Sequence, residues 1–143
     1  MSDSASPSLH RLIDANLNRL REGLRVLEDI QRYLFDDEAS ARRFKRLRHS
    51  LQTAYDPARL IHRDIQGDVL KASTPSEMQR TDIRDLMIAN FSRAQESARV
   101  LEESFKIEDQ ALSSLFKNVR YELYTLEKDL LGRPEKKSSS NSR

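Results

Sequence analysis

Ala15-Asn16-Leu17-Asn18-Arg19-Leu20-Arg21-Glu22-Gly23-Leu24-Arg25-Val26-Leu27-Glu28-Asp29 returns at an offset of 74 residues as Ala89-Asn90-Phe91-Ser92-Arg93-Ala94-Gln95-Glu96-Ser97-Ala98-Arg99-Val100-Leu101-Glu102-Glu103. Five polar positions are identical in the two copies: Asn16 and Asn90, Arg19 and Arg93, Glu22 and Glu96, Arg25 and Arg99, Glu28 and Glu102. Surface residues without a task drift apart after a duplication, so polar identity inside a repeat points to burial or binding. A second pair of stretches follows at an offset of 72, Phe44-Lys45-Arg46-Leu47-Arg48-His49-Ser50-Leu51 and Phe116-Lys117-Asn118-Val119-Arg120-Tyr121-Glu122-Leu123. Each half therefore reads as one pair of helices. Two units of about 70 residues are too few for a solenoid and predict an all-α bundle closed with pseudo-twofold symmetry, with a shared site near the pseudo-axis.

Outward from the repeat, 143 residues suffice for one hydrophobic core. Charged residues make up 34% of the chain and there are three glycines, which favours long amphipathic helices over a sheet. The apolar spacing predicts helices near 8–35, 37–55, 75–106 and 109–131. These form a single helical domain over 8–131, divided into repeat one (8–55), a connecting loop (56–73) and repeat two (74–131). Asp36 or Asp37 is the natural N-cap of the second helix. Thr74-Pro75-Ser76-Glu77 gives the third an N-cap threonine, a proline at the first helical position and a glutamate three residues after the cap. Residues 1–7 read as a disordered lead, and 132–143 as a helix stop with a disordered Ser-rich tail. A structureless loop as long as 56–73 is disordered or functional. Its Arg63-Asp64 and Gly67-Asp68 pairs favour function.

The chain has no cysteine, which excludes disulfides and thiolate metal sites and makes the cytoplasm the expected compartment. Met1 to Pro7 has neither a basic nor an apolar run, and no segment reaches the roughly 18 apolar residues of a membrane span, so a soluble, unprocessed protein without membrane partners is expected. Twenty-five basic against 23 acidic residues leave a net charge of +2, far from a dedicated nucleic-acid binder. The basic run Arg42-Arg43-Phe44-Lys45-Arg46-Leu47-Arg48 reads as a solvated or phosphate-facing helix edge.

On a helical wheel Ile13, Leu17, Leu20, Leu24 and Leu27 share one arc, extended by Leu12, Val26 and Ile30, and Asn16 and Arg19 fall inside it. Ile88, Phe91, Ala94, Ala98 and Leu101 do the same for the third helix, with Asn90 and Arg93 among them. A buried guanidinium needs a partner, because desolvating it alone costs several kcal/mol. Two readings stay open: an internal network with Glu22 and Glu96 that fixes how the repeats dock, or two arginines facing an anion across a cavity, in a geometry suited to phosphate or carboxylate. Arg25, Arg99, Glu28 and Glu102 fall on the polar flank, as exposed pairs worth a few tenths of a kcal/mol or as further ligand contacts. Lys45 and Arg48, mirrored by Lys117 and Arg120, add cations. No two of His10, His49 and His62 stand at zinc-site spacing. Asp64 and Asp68 suit either turn formation or a hard cation such as Mg²⁺. With so few glycines a P-loop and a dinucleotide fingerprint are excluded.

The pattern Arg11-Leu12-Ile13-Asp14-Ala15-Asn16-Leu17-Asn18-Arg19, followed by Arg21 to Asp29, resembles the small helical domain often fused in front of thiamin-phosphate synthase, which also occurs standalone. The resemblance runs from about Leu9 to Leu131 and includes Arg63-Asp64, Gly67-Asp68-Val69, Gln79-Arg80-Thr81-Asp82 and Arg120-Tyr121, with Leu70 where that family usually has glycine. It implies an ATP-dependent hydroxymethylpyrimidine-phosphate kinase, which makes the diphosphate from the monophosphate. On that expectation Arg19 and Arg93 are the catalytic residues. Asn16, Glu22, Arg25, Lys45, Asn90, Glu96, Arg99 and Lys117 bind the phosphorylated pyrimidine and the nucleotide, and Asp64 and Asp68 hold Mg²⁺. A homodimer is compatible with this reading. Two other classes also fit: a small all-α isomerase acting on an anionic metabolite, as the helical chorismate mutases do, and a non-catalytic helical module that docks onto thiamin-phosphate synthase.

Overall fold

A computed structural model describes residues 6–72 and 82–132. The protein is all-α, with no strand among the described residues. Helix α1 spans Pro7–Asp29 and runs on into a π-helical turn, Ile30–Leu34; α2 spans Glu38–Ser50 and tightens into a 3₁₀ turn at Leu51–Ala54. A further 3₁₀ turn covers Pro57–His62, followed by α3, Ile83–Glu108, and α4, Gln110–Leu131. The expected 8–35 helix is thus α1 with its π turn, and the 37–55 helix is α2 with its 3₁₀ tail. The Thr74–Glu77 cap lies outside the described residues, as do the lead at 1–5 and the tail at 133–143. The described helix α3 starts at Ile83, where the Asp82 side chain accepts from the Asp85 amide at 2.8 Å.

Short acidic or hydroxyl caps set the other boundaries. Ser6 accepts from the Leu9 amide ahead of Pro7, and Asp37 accepts from the Ser40 amide, both at 3.1 Å. Asp109 is the one residue between α3 and α4, and its carboxylate takes the amides of both Ala111 and Leu112. So tight a corner makes the two helices neighbours that pack along their length.

The core lies where α1 and α4 clasp α3 and α2 closes on α1. Ile13, Leu20, Leu24, Leu27, Ile30, Phe91, Ala94, Ala98 and Leu101 are buried as their spacing predicts, while Leu17 and Val26 are half-buried. Leu12 and Ile88 are not in the core; they are 43% and 40% exposed, one residue beyond the edge of the stripe. Phe44 and Phe116, which stand 72 residues apart in the sequence, meet Phe91 and Phe105 at ring separations of 5.8 and 5.5 Å. At the α1–α3 crossing a β-carbon on Gly23 would sit 3.5 Å from Ala94 Cβ and from the Asn90 carbonyl oxygen, so small residues on both helices permit the approach. No helix among the described residues is long and apolar enough to cross a membrane.

Candidate functional site

The structure divides the duplicated polar residues into three groups. Asn16 and Asn90 are buried, and each donates its Nδ2 to the carbonyl one turn back, Leu12 at 3.0 Å and Leu86 at 2.9 Å. Glu28 and Glu102, expected on the polar flank, are instead only 3% and 7% exposed. Each is neutralised by the arginine of its own second helix. Arg48 Nε donates to Glu28 Oε1 at 2.8 Å, and Arg120 Nε and Nη2 donate to Glu102 Oε1 at 3.1 and 2.8 Å. The flank widens because the second helix of each unit folds over it.

Arg19 and Arg93, expected among hydrocarbon, are exposed. Their α-carbons border the stripe beside Asn16 and Gly23, and beside Asn90 and Ser97, but the long side chain carries the guanidinium out to water. A shared hollow with the two arginines facing each other is therefore absent among the described residues. Glu22 and Glu96 are exposed as well. Arg25 and Arg99 make exposed i,i+4 pairs with Asp29 at 3.4 Å and Glu103 at 3.2 Å. Lys45 lines a shallow cavity with Glu28, Arg32 and Arg42, and Lys117 lies 5.8 Å from the Tyr121 ring centroid.

Four of the candidate residues do converge. Arg19, Glu22, Asp64 and Asp68 line a cavity of about 540 Å³ between the N-terminal half of α1 and the 63–68 segment, together with Arg11, Asp14, Arg21 and Arg63. Helix α1 holds that segment by two contacts one turn apart. Arg63 forks onto Asp14, Nε to Oδ2 at 2.8 Å and Nη2 to Oδ1 at 2.9 Å, and Arg11 Nη2 donates to the Asp64 carbonyl at 3.0 Å. The hydrogen bonds to Asp14 hold the Arg63 guanidinium above its ordinary pKa. Arg21, steadied by Asn18 Oδ1 at 2.8 Å, also lines a neighbouring cavity of about 440 Å³ with Leu17, Leu51 and Tyr55. Sequence reading passed over Arg11, Asp14 and Arg21. A signal was available, since Arg11 and Asp14 stand one turn apart on the same face of α1, spaced to meet the Arg63-Asp64 pair.

Asp64 and Asp68 first of all shape their own turn: Asp64 Oδ1 accepts from the Gly67 amide at 2.8 Å, and Asp68 Oδ1 from the Leu70 amide at 3.0 Å. Oδ2 of each makes no hydrogen bond to the described residues. No group of three or more His, Asp or Glu able to hold a metal occurs among the described residues. A cation here would take its remaining ligands from phosphate and water, which is how Mg²⁺ is commonly held, so the donor set fits that ion. A β-carbon on Gly67 would fall 2.3 Å from Asp64 Oδ2. Gly67→Ala should therefore swing the Asp64 carboxylate off the turn, so that any Mg²⁺ titrated onto this turn is held more weakly, while the melting temperature stays within about 2 °C, since exposed changes of this kind move stability by less than about 0.5 kcal/mol.

Comparison with known proteins adds the family. The profile of the ThiD2 family matches residues 11–129, from the arginine that holds the loop almost to the end of α4. The chain belongs to the ThiD2 family. It is 38% identical over 133 residues to the thiamine-phosphate synthase of Synechocystis sp., covering 92% of this chain and 39% of that protein. The thiamine-phosphate synthase of Nostoc punctiforme is 38% identical over 125 residues, 87% of this chain and 36% of its own length. That of Rhodopirellula baltica is 35% identical over 135 residues, again 36% of its length. The chain thus spans 36% to 39% of these relatives. No solved structure matches it.

Proposed function

We propose that this ThiD2-family chain phosphorylates 4-amino-5-hydroxymethyl-2-methylpyrimidine monophosphate to the diphosphate, with ATP as donor and Mg²⁺ as cofactor, in thiamine biosynthesis. Family membership and the likeness to part of proteins named thiamine-phosphate synthase support the reading. The observation that carries it is the cavity where Arg11, Arg19, Arg21 and Arg63 meet Asp14, Glu22, Asp64 and Asp68. Naked phosphates would be repelled by those carboxylates, and a naked cation by those arginines. A phosphate chain carrying Mg²⁺ satisfies both.

Phosphoryl transfer asks the protein for positioning and for charge around the oxygens in flight. Arg19 makes no hydrogen bond or ion pair with the described residues, which leaves its guanidinium available to those oxygens. Asp64 and Asp68 would hold Mg²⁺, which when bound neutralises charge on the phosphate oxygens. Arg21 stands between this cavity and its neighbour, whose Leu17, Leu51 and Tyr55 offer an apolar and aromatic surface for the pyrimidine ring. An oxygen of the acceptor phosphate forms the new P–O bond as ADP departs. That oxygen is already ionised, so no strong base is needed, consistent with a cavity lined by no histidine. Asn16 and Asn90, with Nδ2 spent on their own helices, serve packing in this reading. The matched contacts of Asn16 and Asn90, and of the two Glu–Arg pairs, support reading the halves as pseudo-twofold copies of which the first carries the site.

Incubating the purified protein with ATP, Mg²⁺ and the monophosphate should yield diphosphate and ADP in equal amounts. Absence of turnover under conditions where a competent kinase converts the same substrate would remove the proposal. A second reading, a non-catalytic module that docks onto thiamine-phosphate synthase, draws on Ile61, Ile65, Val69 and Leu70, which are 66–92% exposed on the segment that bears Asp64 and Asp68. A stable complex with no catalysis in either the free or the bound state would favour it.

A further inference from the structure

Arg48 and Arg120 stand 72 residues apart in the sequence and make matching ion pairs, with Glu28 and Glu102, but the remaining edge of each guanidinium meets different surroundings. Arg120 Nη1 donates to the hydroxyl of Tyr124, four residues on, at 3.3 Å. Four residues after Arg48 the chain has Gln52 instead, and Arg48 Nη1 makes no hydrogen bond with the described residues. Nor is that nitrogen sealed off, since the buried side-chain atoms without a partner among the described residues belong to His10, Asp29, Gln31 and Arg59. Glu28 fixes the plane of the guanidinium through Nε and Nη2, at 2.8 and 3.3 Å, and Arg48 lines the cavity of about 440 Å³ that Arg21 also borders. A second contrast lies beside the first. Gln95 Nε2 donates to Glu127 Oε1 at 2.7 Å, whereas the residues 74 and 72 positions before them, Arg21 and Tyr55, line the cavity and make no hydrogen bond to each other. Where the later side chains satisfy one another, the earlier ones leave two arginines with donors to spare.

The lining selects the guest by charge. Arg21, Arg48 and His49 border this cavity and no carboxylate does, whereas the Arg19 cavity next to it carries four carboxylates. The Arg19 cavity calls for an anion accompanied by a cation; this one suits an oxyanion alone. A guanidinium carries five N–H groups, of which Arg48 spends two on Glu28 and Arg21 spends one on Asn18, so both keep donors for charge-assisted hydrogen bonds. We propose that this cavity is a metal-independent oxyanion site in which Arg48 Nη1 and Arg21 grip the phosphate of a phosphomonoester whose body rests on Leu17 and Leu51. Arg48, already tied to Glu28, thereby distinguishes the phosphorylated ligand from its free alcohol. The site stands on its own lining; only in equating the monoester with the acceptor of phosphoryl transfer does it rest on the proposed function.

Phenyl phosphate, titrated against the full chain in EDTA and without ATP, should bind saturably, and phenol, which keeps the ring and lacks the anion, should not. Inorganic phosphate should bind more weakly than the ester; equal affinity would overturn the monoester and leave free phosphate as the guest. Arg21→Ala, at an exposed position, should weaken phenyl phosphate binding about tenfold or more at an unchanged melting temperature, the effect of losing a hydrogen bond between charged groups. Gln52→Tyr offers Arg48 the hydroxyl that Arg120 has from Tyr124 and leaves the Glu28 pair intact, so the fold is kept where removal of Arg48 would endanger it. That variant should melt at or above the parent temperature and exclude the ester. Binding that requires Mg²⁺, phenol binding as tightly as its phosphate, or an affinity unchanged in both variants would overturn the proposal. A chain that binds phenyl phosphate as expected yet transfers no phosphoryl group from ATP loses the kinase reading and keeps this site.

Discussion

Arg120→Met is expected to lower the free energy of unfolding by about 3–5 kcal/mol, the penalty for leaving a buried carboxylate without its partner. The Arg120 and Glu102 side chains are 10% and 9% exposed, and two nitrogens of the guanidinium converge on one carboxylate oxygen. The Tyr124 hydroxyl accepts from Nη1 at 3.3 Å and, with Glu102, holds the guanidinium above its ordinary pKa. A cation whose folded pKa is raised lends its stabilisation in full below its unfolded pKa, which already lies far above neutrality, so this contribution does not fade anywhere in the neutral range. Methionine keeps the volume, and the loss measured is one of charge rather than of packing. Replacing Glu102 by methionine as well should restore most of the stability, because two apolar side chains need no partner. Urea denaturation with an unchanged m-value checks both variants. Arg48→Met should cost a similar amount, since the Glu28 carboxylate it leaves behind is only 4% exposed. An Arg120→Met chain as stable as its parent would mean that Glu102 finds another partner.

The second large effect is on turnover. Arg19→Ala should reduce kcat/KM for the proposed phosphoryl transfer by about 10²–10³, as removal of one donor to developing charge does elsewhere. The melting temperature should not move, because the exposed Arg19 side chain makes no hydrogen bond or ion pair with the described residues. Arg93→Ala is the matched comparison. It alters the arginine 74 residues on in the sequence, which lines none of the cavities described, and should leave kcat/KM within a few-fold. Equal losses at the two positions would bring the exposed face of α3 into the site through a second copy of the chain, and the mass in solution would then have to be that of a dimer.

The helices and their order were legible because apolar residues recur at helical spacing across all four, and because the Asp36-Asp37 pair marks the start of the second. The core followed from the same stripe, with Leu12 and Ile88 misplaced only at its edges. The charged network was harder to read. A wheel assigns direction to a β-carbon, whereas an arginine ends some 6 Å further out, so Arg19 and Arg93 looked buried and are not. Glu28 and Glu102 looked exposed because a wheel shows one helix and their partners come from another. Their repetition together with Arg48 and Arg120 was the clue, since a pair that recurs at both offsets is a pair. Asp64 and Asp68 could be assigned to a turn from their neighbours Gly67 and Leu70, but their meeting with Arg19 depends on Arg63 reaching Asp14, a contact between segments 49 residues apart.

The two ion pairs, Glu28 with Arg48 and Glu102 with Arg120, each tie a helix to the one that follows it, within one half of the chain. Between the halves, the seam is mostly hydrocarbon, with Gly23 packed against Ala94, and the Arg43 fork onto Glu122 and Asp129 and the Arg59–Glu108 pair at its margin. A polypeptide fastened this way does not need its backbone to be continuous from one half to the other. Expressed as two separate fragments, the halves should find each other in solution and rebuild the same bundle.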